Sequence, residues 1–128
     1  MSQRINYATG ASWEKIVGYS RAVRTAHLIE VSGTVALKDG ELVGEGDPYL
    51  QTRRILEIIQ DSIEALGGKI ENVVRTRIYV RDISQWESIG RAHGEVFADI
   101  QPATSMVEVS RLIDDKFLVE IEATAVIP

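Results

Sequence analysis

Three stretches of this chain alternate apolar and polar residues with a period of two. In Val73 to Asp82, the residues Val74, Thr76, Ile78 and Val80 fall on one side, and Arg75, Arg77, Tyr79 and Arg81 on the other. In Phe117 to Ile127, Val119, Ile121, Ala123 and Ala125 alternate with Glu120, Glu122, Thr124 and Val126. In Thr104 to Leu112, Val107 and Val109 oppose Thr104, Met106 and Glu108. Successive side chains of a strand point to opposite faces, so each stretch predicts a strand with one apolar and one polar face. This parity puts Arg77, Thr104, Met106 and Glu120 together on the polar face. His27 to Gly33 alternates in part and ends on a glycine, as a further strand would.

Two other stretches follow the helical period. Between Asp47 and Gly68, the residues Ile55, Leu56, Ile59, Ile63 and Leu66 form one stripe. Asp47 suits the N-cap, Pro48 the first helical position, and Gly67-Gly68 the stop. Ser84 to Ile100 predicts a second helix, with Ser84 and Glu87 as a capping box and Trp86, Ile89, His93 and Val96 on its apolar side. Asp39-Gly40 between apolar runs predicts a two-residue hairpin, whose turn needs positive φ. Asp114-Asp115 predicts the turn joining the last two strands. Two amphipathic helices suffice to cover one face of one sheet. The expected fold is therefore α+β, a two-layer sandwich with both helices on one face of the sheet.

The uncovered face carries Arg, Glu and Tyr. It is either a solvated face with loose ion pairs, each contributing about 0–1 kcal/mol, or a face that meets other subunits. Tyr79, Met106 and Val126 among the charges favour the second.

Composition narrows the chemistry. A chain of 128 residues is the size of one domain, here residues 1–128. The absence of cysteine excludes disulfides, thiolate catalysis and Cys-ligated zinc. His93 and His27 stand far apart, so no metal site is expected. There is no phosphate loop, nucleophile elbow, nucleotide signature or flavin signature, so no cofactor is expected. A net charge of −5, from 14 basic and 19 acidic residues, argues against nucleic acid as the main partner. The apolar runs are too short for a membrane span and the first ten residues lack an apolar signal core. A cytoplasmic location is the simplest expectation.

Five segments together resemble the Rid family (RidA, also called YjgF), enamine/imine deaminases formerly named endoribonuclease L-PSP. They are GYSRAV (Gly18 to Val23), VSGT (Val31 to Thr34), VVRTRIYVRD (Val73 to Asp82), PATSMVEV (Pro102 to Val109) and EIEATA (Glu120 to Ala125). The resemblance runs from about Val17 to Val126. It implies a chorismate-mutase-like mixed sheet and a homotrimer with three clefts between subunits. It also implies that the position of Glu120 orients the attacking water, that Tyr19 closes the cleft, and that Ser32 and Gly33 lie along it. Family deaminases grip the carboxylate of 2-iminobutanoate or 2-aminoacrylate with an arginine in the Pro-Ala-Arg-Ser signature. Here that position is Thr104, and the usual cysteine two residues on is Met106. A threonine hydroxyl cannot reproduce the paired charge-assisted bonds of a guanidinium.

Arg77 is the first residue to consider as a compensating cation; an ion pair with Glu120 or Glu122 is the competing reading. Arg21 and Arg24 follow Tyr19 closely and could also reach a cleft, or serve at a surface or interface. His93 is either a satisfied histidine at a core edge or a cleft residue. Glu120 is either the water-orienting carboxylate or half of an interface salt bridge. Trp13 and Glu14 either lid a cleft or pack the N-terminal segment. Two functions compete: a hydrolase of imines, enamines or related reactive small amides, and a non-catalytic trimeric module that binds a small carboxylate or keto acid. A ribonuclease, as the old family name suggests, fits least, given the acidic charge and the lack of paired histidines.

Overall fold

The alternating stretches assemble into one six-stranded sheet. A computed structural model of the chain describes residues 3–128. In chain order the elements are β1 (Arg4–Tyr7), α1 (Ser12–Val17), β2 (Ala22–Thr25), β3 (Leu28–Thr34), β4 (Leu37–Lys38), β5 (Glu41–Leu42), α2 (Pro48–Ala65), β6 (Val73–Val80), α3 (Trp86–Phe97), β7 (Ala103–Glu108) and β8 (Val119–Val126). The sheet order is β1-β2-β3-β8-β6-β7. All neighbours are antiparallel except β6 and β7, which run parallel. A parallel pair needs a crossover, and α3 supplies it. The last two strands are not neighbours, because β8 enters between β3 and β6. Strands β1 and β2 and helix α1 are additional to the elements that the periodicity predicts.

Helix α2 forms where its caps predict. The Asp47 side chain accepts from the Leu50 N–H at 3.0 Å and Pro48 follows directly. Gly67 ends the helix with φ of +90°. The tight hairpin β4–β5 likewise turns on Asp39 and Gly40, with φ of 52° and 80°. Ile55, Leu56, Ile59, Ile63 and Leu66 are all buried, packing with Val119, Ile121, Ala123 and Ala125 of β8 in one core. Gln51 fixes the approach to β8. It is fully buried, its Nε2 donates to the Gly44 and Lys116 carbonyls, and its Oε1 accepts from the Leu118 N–H. A buried amide so satisfied holds helix and strand in register.

Three local expectations are corrected. Val74 is 47% exposed while Val73 is buried, because a bulge between Val73 and Arg75 inserts one residue and shifts the parity. The Ser84–Glu87 capping box is absent: Asp82 caps a short 3₁₀ turn by accepting from Ser84, and α3 begins at Trp86 without a side-chain cap. Trp86 is 56% exposed, off the apolar side that buries Ile89, Ala92 and Phe97.

The bulge gives a direct test. Val73→Ala removes two buried methyl groups and should cost roughly 2 kcal/mol, at about 0.8 each plus a cavity contribution. Val74→Ala should stay within about 0.5 kcal/mol of wild type. Urea titrations of both variants check the order; equal losses would contradict the bulge.

Candidate functional site

Two groups of the residues singled out above emerge, on opposite faces of the sheet. The first is built on a bulge in β3. Between Val31 and Thr34 the pairing with β8 slips by one residue, leaving Ser32 and Gly33 out of register. The Ser32 hydroxyl is spent on the Ser20 carbonyl at 2.7 Å, so it holds the Tyr19–Arg21 segment against the bulge. Arg21 Nη2 donates to the Gly33 carbonyl. The guanidinium lies 5.8 Å from the Tyr19 ring centre, within cation–π range. Glycine is required at 33 by what lies over it. The three heavy atoms nearest a Cβ built there all belong to the Glu120 side chain, and Oε2 would collide with it. Tyr19, Arg21, Gly33 and Glu120 thus form one cluster. Within α1, Glu14 is 7% exposed and accepts from the Thr9 N–H at 3.0 Å. Trp13, by contrast, is 49% exposed.

The second group lies under the edge strand, on the helix side. In the parallel register Thr76 stands opposite Thr104 and Ile78 opposite Met106. Thr76 Oγ1 is 2.8 Å from Thr104 Oγ1 and 2.9 Å from His93 Nε2, a chain of three polar groups. Met106 is partly buried against the core. Burial keeps the His93 imidazole below its ordinary pKa. Thr104 and Met106 therefore do not share the polar face with Arg77 and Glu120, which corrects the parity read from the sequence. Residue 104 is in phase with the buried Thr76, not with Arg77. Ser105 is the strand residue on Arg77's side, and its hydroxyl accepts from Arg75 Nη2 at 2.9 Å.

Arg77 is engaged elsewhere: its Nη1 is 3.7 Å from Glu122 Oε1, which also accepts from the Tyr79 hydroxyl at 2.9 Å. Arg24 is structural, donating to the Ala26 carbonyl at 3.0 Å and the Leu66 carbonyl at 2.7 Å, where it closes the end of α2. Among the described residues no group of His, Asp or Glu could hold a metal ion, and no helix is long and apolar enough to cross a membrane. Two surface hollows of about 480 and 630 Å³ lie around Tyr49, Trp86 and Arg91, apart from both groups.

Residues 9–127 match the family model of endoribonuclease L-PSP. The chain belongs to that family. An uncharacterized protein of Streptomyces coelicolor is 38% identical over 117 residues, covering 91% of this chain and 87% of that one. A RutC family protein of Pyrococcus horikoshii is 36% identical, covering 84% and 85%. The fold matches that of a Mycobacterium tuberculosis member of the YjgF/YER057c/UK114 family with a TM-score of 0.90, 44% identity and coverage of 98% and 100%. The YjgF gene product of Escherichia coli matches with a TM-score of 0.78 at 28% identity, covering 94% and 91%. Membership in the Rid/YjgF group and its α+β fold therefore stand as the residues implied.

Within this family member, Glu120 is electrostatically unusual. Burial lifts its carboxyl above the ordinary range; Arg21 pulls it back in part and Glu122 adds to the rise. A carboxyl with a raised folded-state pKa holds its proton more tightly when folded. Its contribution to stability is fully present below the ordinary glutamate pKa and is lost as pH rises through the raised value. Glu120→Gln should therefore melt higher than wild type at neutral pH and lose the advantage near pH of about 4; thermal melts at both pH values check this. Gly33→Ala should cost about 1–3 kcal/mol through the collision with Glu120. The same substitution made in a Glu120→Ala background should cost far less, and a double-mutant cycle by urea titration measures the difference.

Proposed function

We propose that this protein is a small-molecule hydrolase of the Rid type, acting on an imine, enamine or related reactive small amide. The carrying observation is Glu120. Its carboxylate lies over the bare backbone of Gly33, is half-buried, and accepts no hydrogen bond from any described residue, whereas Oε1 of Glu122 meets both Tyr79 and Arg77. A carboxylate free of partners, whose burial raises its affinity for a proton, is a stronger base than an ordinary glutamate. In the proposed reaction the ionised Glu120 takes a proton from water as the water oxygen bonds to the C=N carbon and the C=N π pair moves to nitrogen, and it then gives that proton to the nitrogen. In the carbinolamine so formed Glu120 carries the hydroxyl proton to the amino nitrogen, and the C–N bond breaks as C=O forms, releasing ammonia and the carbonyl compound. Overall, one imine and one water become one carbonyl and one ammonia.

Within a single chain Thr104 and His93 lie across the sheet from Glu120. A site that uses both groups therefore needs a second copy, which supports the reading of a homotrimer with clefts between subunits. Binding without catalysis is favoured by one feature: the Thr104 hydroxyl offers no charge and is already linked to Thr76. Ammonia release from enzymatically generated 2-aminoacrylate and 2-iminobutanoate decides between them. Hydrolysis should be measurable in wild type and fall about a hundred-fold or more in Glu120→Gln. Light scattering should return the mass of three chains; a monomer at micromolar concentration would overturn the cleft.

A further inference from the structure

Arg21 is a mostly buried cation without an anion. Its Nη2 is spent on a neutral group, the Gly33 carbonyl, and its Nε is buried with no partner. None of the ion pairs among the described residues includes it. The two carboxylates near enough to act on its charge are placed otherwise: Glu14 is held by Thr9, and Glu120 lies over Gly33. Burial accordingly disfavours the charged guanidinium, a cost that Tyr19, Glu14 and Glu120 only partly offset. Buried charges in folded proteins are ordinarily matched, because an unmatched one gives up its hydration without compensation. Neither Glu14 nor Glu120 forms an ion pair with Arg21 among the described residues.

The surroundings of Arg21 point to the kind of anion that suits it. Arg21 and Glu120 both meet the β3 bulge at Gly33, and the Tyr19 ring lies beside the guanidinium. The competing cations are excluded by their contacts: Arg77 is paired with Glu122 and Arg24 is tied to backbone carbonyls. Arg75 and Arg81 also keep a buried unpartnered nitrogen, but both belong to the segment around β6, where Arg75 is bonded to Ser105 across the sheet edge. We infer that Arg21 is the residue that binds a carboxylate of the ligand, from the same side of the cleft as Glu120, and so takes the recognition role that Thr104 cannot fill. The guanidinium supplies the directional donors that a carboxylate matches. This inference rests on the hydrolase site proposed above, but its test does not depend on turnover.

Titration calorimetry with 2-oxobutanoate, and with its neutral amide as the matched control, reads the interaction directly. Wild type should bind the acid in preference to the amide. Arg21→Met should weaken binding of the acid about ten- to a hundred-fold, while Arg77→Met should leave it within about two-fold of wild type. Arg21→Lys, which keeps the charge and loses the fork, should fall between wild type and Arg21→Met, and it decides the matter if Arg21→Met does not fold in a thermal melt. No preference for the acid in wild type, equal binding by the Arg21 variants, or an equal loss in Arg77→Met would overturn the assignment. A trimer that dissociates in Arg21→Met while acid binding persists would also overturn it, assigning Arg21 to the contact between copies. Acid binding that depends on Arg21, without ammonia release from any imine, would keep the assignment and reject the hydrolase.

Discussion

Strand β8 is paired along both edges, with β3 on one side and β6 on the other. Its alternation leaves it one possible register. A slip of one residue would turn Glu120 and Glu122 under α2 and expose Val119 and Ile121. The fully buried Ile121 and Val119 oppose that slip through lost apolar burial, and the carboxylates oppose it through desolvation. Gln51 adds a third restraint by bonding the backbone on the approach to the strand. Everything that defines the candidate site hangs on this register, because it sets which face Glu120 occupies and which backbone it crosses.

Given that register, the β3 bulge does the rest locally. An extra residue between Val31 and Thr34 brings the bare backbone of Gly33 under the Glu120 carboxylate. The bulge carbonyl then fixes the Arg21 guanidinium, and the Ser32 hydroxyl ties the segment that bears it. Acid, cation and aromatic ring are thus gathered by main-chain geometry, with few side-chain bonds between them. The arrangement leaves Glu120 without a donor and Arg21 without an anion. Such incomplete satisfaction is costly to a folded chain and is ordinarily retained where a ligand or another subunit completes it.

On the far side of the sheet the same economy yields a neutral site. His93, Thr76 and Thr104 form a hydrogen-bonded line whose last residue, Thr104, is exposed and also donates to the Pro102 carbonyl. The two groups differ in charge and are separated by the sheet itself. Their combination in one reaction would need the edge strand of one copy to meet the bulge of another.

Much of this was legible in the sequence. Helix α2 could be placed from Asp47, Pro48 and Gly67 because caps and stops act within a few residues. The faces of β8 followed from a strict period of two. Family membership followed from segments spread over most of the chain. The sequence also offered Glu120, Gly33 and Tyr19 as site residues; in the fold Glu120 lies over Gly33, and Tyr19 is linked to them only through Arg21. What it could not supply was parity across irregularities. A single inserted residue moved Val74 out of the core, and the unpredictable phase of β7 against β6 put Thr104 and Met106 on the helix side. The partner of each charge was equally hidden. Arg77 and Arg21 look alike in the chain, and only the folded sheet pairs one with Glu122 and leaves the other in no ion pair, since ion pairing depends on distances between strands far apart in sequence.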